Sequence, residues 1–265
     1  MGTDRTTAAL TARARELWEF LAQGGGGGGG VGGAETPAVG GAAFAPAIRV
    51  AVSPRTSLCP PGWAGVVVLG DAVVATAPDP ETAELIEQAL GDLPVASLTD
   101  AYVLRNRLPV AAILGPASLA YLDPAEFHPR HGDAVITPLR LDDPDFRRFV
   151  LATDPGEVEE SGIEELTTPA FAVREHGQVA AAAGYRDWPH GTAHLSVLTA
   201  AAARGSGLAR AAASAAVARA IADDRLPQWR ARPMASRRVA RALGFRELGL
   251  QASIRLASPV ASREH

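Results

Sequence analysis

Lysine is missing from this sequence. All 25 cationic residues are arginine, set against 29 acidic ones, for a formal net charge of −4 over 265 residues. No global basic field is therefore available to hold nucleic acid or an anionic membrane. Cysteine is nearly missing too. The lone Cys59 excludes an intramolecular disulfide and any cysteine-based zinc cluster, and it fits a reducing cytosol. No apolar run reaches the length of about 18 residues that a membrane span needs. The N-terminal stretch "TARARELWEFLAQ" is amphipathic and charged, without the apolar centre of a signal peptide. These absences predict a soluble, cytoplasmic protein. What is present is ordinary for a globular chain: a hydrophobic share of 47% and a charged share of 20% leave room for one large domain or two small ones. The abundance of Ala, Gly and Pro beside arginine-only cations reads as the codon usage of a G+C-rich bacterial genome and carries no function.

Hydrophobic spacing divides the chain into five segments. Residues 1–23 read as a helix, with Leu10, Ala14, Leu17, Trp18 and Leu21 at helical intervals, as expected of a helix that covers a core. Residues 24–47, "GGGGGGGVGGAETPAVGG" at their centre, form a flexible low-complexity tether. They lack the Lys-Ser/Thr ending and preceding strand of a phosphate loop. Residues 48–132 read as a small α/β lobe. It holds strands in "IRVAVSP" and "GWAGVVVLGDAVVATAP", the latter hinged at Gly70-Asp71, and a helix in "DPETAELIEQAL" capped by Asp79. "VASLTDAYVLRN" is expected to add a helix and "PVAAILGPASLAYLD" a strand pair. Residues 133–257 alternate strands and helices around a mixed sheet, and residues 258–265 are a tail. In this second half "DDPDFRRF" opens a helix at Asp142 or Asp143, and "AFAVREHGQVAAAAGYRDW" gives two strands joined at His176-Gly177. "TAHLSVLT" is a further strand, "ASRRVARALGF" a helix closed by Gly244, and "RELGLQASIRL" the last strand.

The most informative joint is "HLSVLTAAAARGSGLARAAASAAVARAIADD". A strand ending at Thr199 leads into a bend, and an alanine-rich helix begins near Ser206. The first amides of such a helix have no partner inside it, and together with the positive end of the dipole they suit a phosphate-like anion. Gly205 and Gly207 lack Cβ atoms, so the backbone can bend sharply and an anion can approach. Arg204 adds a charge and the Ser206 hydroxyl a further donor. A diphosphate is the natural guest.

The order strand, Arg-x-x-Gly-x-Ala, long helix, strand, then Ser followed by Gly-Phe, resembles the GNAT superfamily of acyl-CoA-dependent N-acyltransferases. Here the pieces are Arg204-Gly205-Ser206-Gly207-Leu208-Ala209 and Ser236 through Gly244-Phe245, and "ITPLRLDDPDFRRF" resembles the family's opening strand and helix. The likeness covers residues 133–257; the preceding lobe has the size of a worn duplicate of the same domain. The resemblance implies a mixed central sheet flanked by helices. It also implies acetyl transfer from acetyl-CoA to a primary amine of a small molecule or peptide, by direct attack. In this scheme Arg204, Gly205, Ser206, Gly207, Leu208 and Ala209 hold the pyrophosphate, and Val197, Leu198 and Thr199 pair by backbone with the pantetheine arm. A backbone N–H near Leu198 polarises the thioester carbonyl. Where many relatives carry a glutamate ahead of the loop arginine, this chain has His194, with a reference pKa of about 6.5; it reads either as the proton acceptor or as a histidine satisfied by hydrogen bonds beside the core. Two positions depart from the family. Pro233 stands where an asparagine is common, and Ala240 stands where a tyrosine acts as acid to the leaving thiolate. That leaves Ser236 as a candidate to bond the coenzyme or assist the sulfur.

Tyr185, Asp187 and His190 read either as lining of the same mouth or as structural and surface residues. The cluster Arg225, Arg230, Arg232, Arg237, Arg238 and Arg241 reads as a solvated helix face or, more sharply, as a contact for the 3′-phosphate of CoA through Arg238 or Arg241. The acidic run Glu157, Glu159, Glu160, Glu164 and Glu165 reads either as an attractor for a cationic amine or as a solvated helix face. No metal site, nucleic-acid partner or membrane partner is expected, and a homodimer is compatible with the sequence. The rival readings are a non-catalytic acyl-CoA-binding or regulatory module of the same fold, an interaction protein whose glycine loop is only a turn, and an aminoacyl-transfer enzyme of the same fold class.

Overall fold

The elements follow from alternation, capping residues and glycine turns. The computed structural model describes residues 2–24, 48–130 and 134–257; the tether predicted over 24–47 (Gly24 apart), the boundary at 132/133 and the tail 258–265 lie outside the described residues. In chain order the elements are α1 (Gly2–Ala22), β1 (Val50–Val52), β2 (Ala64–Leu69), β3 (Ala72–Ala77), α2 (Pro80–Leu90), α3 (Ala101–Arg107), β4 (Val110–Tyr121), β5 (Ile136–Leu139), α4 (Pro144–Leu151), α5 (Pro155–Ser161), β6 (Ala170–Glu175), β7 (Gln178–Trp188), β8 (Thr192–Thr199), α6 (Leu208–Ala222), β9 (Leu226–Ala231), α7 (Met234–Ala242) and β10 (Arg246–Leu256). The chain divides into two units, Arg15–Ala117 with Gly249–His265, and Met1–Ala14 with Ser118–Leu248. The division falls inside α1, β4 and β10. Leu10, Ala14, Leu17, Trp18 and Leu21 of α1 are all buried, as their spacing predicts.

In the first unit β2 and β3 pair antiparallel across Gly70-Asp71, β1 lies parallel to β3, and residues 249–254 of β10 run antiparallel to β2. Ala83, Ile86 and Leu90 form the buried stripe of α2 and join Val66, Val68, Ala75 and Ile254 in one apolar cluster. The Asp79 carboxylate caps α2 by accepting from the Thr82 amide at 2.8 Å. Two expectations need correction here. "VASLTDAYVLRN" is not one helix: a single 3-10 turn, Val95–Ser97, precedes α3. Asp100 interrupts it, because its carboxylate accepts from the Tyr102 and Val103 amides and so starts a new helix. Nor is "PVAAILGPASLAYLD" a strand pair, since β4 runs through Gly115-Pro116 without turning back. Gly115 serves a close approach instead: a Cβ there would sit 2.6 Å from the Gln251 carbonyl oxygen.

In the second unit the strand order is β4 (from Ser118), β9, β8, β7, β6, β5. β8 and β9 are parallel and connected through α6; the other neighbours are antiparallel. β7 is buried on both faces, which accounts for its unbroken run "VAAAAGY". Side chains alternate between two apolar clusters. Ala181, Ala183, Tyr185, Ala193 and Leu195 meet the alanine face of α6, while Ala182 and Leu198 meet Phe146, Phe149 and Val158 of α4 and α5. Asp143, not Asp142, caps α4.

Two substitutions in α2 gauge these terms. Ile86→Ala empties a fully buried position and is expected to cost about 2–5 kcal/mol. Asp79→Ala removes only the cap and should cost about 1 kcal/mol. Urea titrations of both variants test that ranking, and equal shifts would refute it.

Candidate active site

β8 is paired unequally on its two sides. β7 matches it from Thr192 to Thr199, but its pairing with β9 is confined to Thr192↔Leu226, Ala193↔Pro227 and His194↔Gln228. Beyond that rung β9 turns to β4, pairing Gln228 to Ala231 with Tyr121 to Ser118. Trp229 helps hold it there: its ring meets Phe245 edge-on at 5.4 Å, and its Nε1–H donates to Ser236 Oγ at 2.9 Å. Residues 195–199 therefore border a notch between two diverging parallel strands. This stretch includes Val197, Leu198 and Thr199, the residues expected to meet a ligand by backbone.

The notch leads to the glycine loop. Gly205 and Gly207 adopt φ of +81° and +83°, a region in which other residues are strained. Gly207 is the N-cap of α6, so the helix starts at Leu208, slightly later than the sequence suggests. The first bond entering it is Ala211 N–H to Gly207 O at 3.2 Å. The amides of Leu208, Ala209 and Arg210 precede that bond and belong to the helix's open first turn. Nothing stands within 4 Å of where a Gly205 Cβ would lie, so the bend is open on that side. The Ser206 hydroxyl donates to Ala203 O at 2.6 Å; it fastens the loop. The Arg204 guanidinium pairs with Glu157 of α5. A further cation had no sequence signal: Arg130 donates to Gly207 O at 2.6 Å, and its own amide to Ser214 Oγ at 2.8 Å. A cavity of about 300 Å³ adjoins this region, lined in part by Phe149, Glu157, Gln178 and Ala200.

His194 sits at the closed end of the notch. Its ring stacks on Trp188 at 4.1 Å and 10°, and Nδ1 is hydrogen-bonded to Gln228 Oε1. An amide oxygen only accepts, so the proton resides on Nδ1 and Nε2 keeps its lone pair. Burial pushes the imidazolium pKa down to about 3, helped by the charges of Arg230 and Arg186 and opposed by Gln228. The ring is thus neutral at physiological pH but a feeble base. Gln228 is a participant the sequence reading missed; its signal was a lone amide side chain within the strand "LPQWRA".

The remaining candidates are dispersed. Opposed strand partners share a face, so Arg186 lies beside His194, whereas Tyr185 opposes Leu195 on the α6 side. The Tyr185 hydroxyl donates to Asp223, and burial beside that carboxylate raises its pKa to about 12. Asp187 lies on the same side as Tyr185 and pairs with Arg225 at 3.5 Å, and His190 occupies the β7–β8 turn at φ +55°. Tyr185 and Asp187 do not join His194 at one mouth. Ala240 is buried in the apolar core, and Pro233 is the N-cap of α7. Arg237 and Arg241 both pair with Glu247. Much of the acidic run is matched as well: Glu157 by Arg204, Glu160 by Arg232 and Glu165 by Arg186. Among the described residues no group of His, Cys, Asp and Glu could hold a metal ion, and no helix is long and apolar enough to cross a membrane.

The low His194 pKa links protonation to unfolding. The unfolded ring titrates near pH 6.5 and the folded one near 3, so between these values the unfolded chain binds the extra proton. The stability associated with the neutral ring is complete above about pH 6.5 and declines as the pH falls toward 3. His194→Gln should flatten that acid decline in thermal melts. In ¹⁵N NMR the wild-type ring should show no titration near neutrality; a midpoint close to the free-histidine value would contradict the assignment.

The sequence model described as GNAT acetyltransferase matches residues 170–249, a span that includes β8, the glycine loop, β9 and α7. No curated protein matches the chain. Among solved structures it is similar to a putative GNAT-family acetyltransferase from Novosphingobium aromaticivorans, with 26% identity and a TM-score of 0.43, over 55% of this chain and 65% of that one. An acetyltransferase of the GNAT family from Colwellia psychrerythraea has 15% identity and a TM-score of 0.43, over 63% of each chain. A GCN5-related N-acetyltransferase-like protein from Streptococcus suis has 15% identity and a TM-score of 0.46, over 73% of this chain and 84% of that one. The chain thus spans slightly less than two thirds of the first two of these structures. The family match is thus confined to residues 170–249, in the C-terminal part of the chain.

Proposed function

We propose that this chain transfers the acetyl group of acetyl-CoA to a primary amine carried by a small molecule or peptide. The observation behind this reading is the early end of β8–β9 pairing at His194↔Gln228, with a glycine loop and open helix start beyond it. A strand edge of that kind suits an extended, amide-bearing arm, and the loop suits linked phosphates. The residues therefore fit coenzyme A. The amides of Leu208 and Ala209, with Arg130 and Arg204 nearby, would hold the phosphates. The backbone of Val197, Leu198 and Thr199 would hold the arm. Bound acetyl-CoA supplies a thioester-activated acetyl group.

The protein's own part is positioning. His194 is neutral throughout the working range and presents the Nε2 lone pair to an N–H of the incoming amine. So weak a base orients a neutral amine; it does not strip a strongly held proton from an ammonium. The pH dependence of turnover should accordingly follow the amine's own ionisation, with no inflection from His194. Ser236 Oγ accepts from Trp229, and its hydroxyl proton stays available to a further acceptor. A second reading, an acyl-CoA-binding module without catalysis, is favoured by Ala240 and by the low basicity of His194.

Two assays decide between them. CoA at one hundred times its Kd should stabilise the protein by about 2.7 kcal/mol. Thiol release from acetyl-CoA across an amine panel should appear only with acceptor present. Gly205→Val should weaken CoA binding by about tenfold or more, by straining the positive-φ bend. Stabilisation without thiol release would leave the binding-module reading; no stabilisation at all would remove both.

A further inference from the structure

The last rung before the strands part leaves a buried hydrogen-bond donor unused. Gln228 is fully buried. Its Oε1 accepts from His194, while its Nε2 has no partner among the described residues. Such donors are rare, because burial removes their water and folding normally supplies a replacement. The Thr192 hydroxyl is also unpartnered, but Thr192 lies back within the paired stretch, opposite Leu226. Gln228 alone of the two stands where the notch begins.

We propose that Gln228 acts in the reaction: its Nε2–H donates to the oxygen of the bound acyl group while its Oε1 holds His194 as the Nδ1–H tautomer. This inference rests on the acetyl-CoA reading above. A ligand anchored by its phosphates at residues 204–209 and laid along Thr199 toward Val197 must bring its far end to the His194–Gln228 rung. The strand from Thr199 to His194 is about 16 Å long, a reach suited to an extended arm. A donor fixed at that end strengthens its bond as negative charge gathers on the acyl oxygen, and being already locked by its other atom it needs no rearrangement. The same amide leaves His194 Nε2 as the acceptor facing the amine. One side chain so sets the geometry of both reacting partners.

The first test needs no substitution. In ¹⁵N spectra of the wild-type protein, the Gln228 side-chain NH₂ signals should move on adding acetyl-CoA and remain in place with CoA, which has no acyl oxygen. Equal positions with both ligands overturn the proposal. The Gly205 and Gly207 amides report separately on the cofactor: if neither ligand moves them, the acetyl-CoA reading fails and this inference falls with it. The second test compares Gln228→Glu and Gln228→Met, each checked for a cooperative melt. With CoA affinity unchanged, the infrared band of a ¹³C-labelled acetyl carbonyl should rise in frequency in both variants. Turnover should fall about 100-fold with KM for acetyl-CoA held. The His194 tautomer should persist in Gln228→Glu and be lost in Gln228→Met. An unmoved carbonyl band or wild-type turnover in a folded variant refutes the role, and should neither variant fold, the wild-type spectra decide.

Discussion

The second unit depends on how β8 divides its backbone. One edge is fully committed to β7, which holds the strand straight and buries its side chains against α6 on one face and α4 with α5 on the other. The other edge is committed to β9 over three residue pairs only. A strand tied along both edges would leave no backbone for a ligand. One tied along neither would have no fixed position. The asymmetry makes a rigid strand with a usable edge, and β9 can depart because β4 receives it.

Around that edge the chemistry is graded. At the loop, ionic groups gather: Arg130 donates to Gly207 O and Arg204 pairs with Glu157, close to the start of α6. At the rung, the histidine's own charge is suppressed. Burial and the nearby arginines keep His194 from protonating, and its stacked partner Trp188 and hydrogen-bonded partner Gln228 are uncharged. A ligand with ionic groups at one end and a neutral reacting group at the other matches the gradient.

Much of this was legible in the chain. The hairpins at Gly70-Asp71 and His176-Gly177, the cap at Asp79 and the glycine joint before α6 are local signals, and local signals survive folding. The features that resisted reading are those set by partners remote in sequence. Whether Gly115-Pro116 turns a strand or lets it pass depends on the backbone of Gln251. The meeting of Arg130 with Gly207 and of Gln228 with His194 joins segments that no periodicity connects. The histidine's candidacy as a base came from its residue type and its place ahead of the loop arginine, and its environment changes what that type can do. Tyr185 and Asp187 were grouped with it by nearness in sequence, which the alternation of a strand undoes.

The acid-rich helix α5 has a consequence of its own. Glu157 neutralises Arg204 after β8, and Glu160 neutralises Arg232 after β9, so one short helix supplies counter-ions to both arms flanking the gap. An anion arriving at the loop does not meet a bare guanidinium at Arg204. On the proposed function it would displace a carboxylate already in place, and because exposed ion pairs are weak, breaking that pair would cost little. Selectivity at this end would then come from the backbone amides and the shape of the bend, with the arginine a contact that passes from a protein carboxylate to a phosphate.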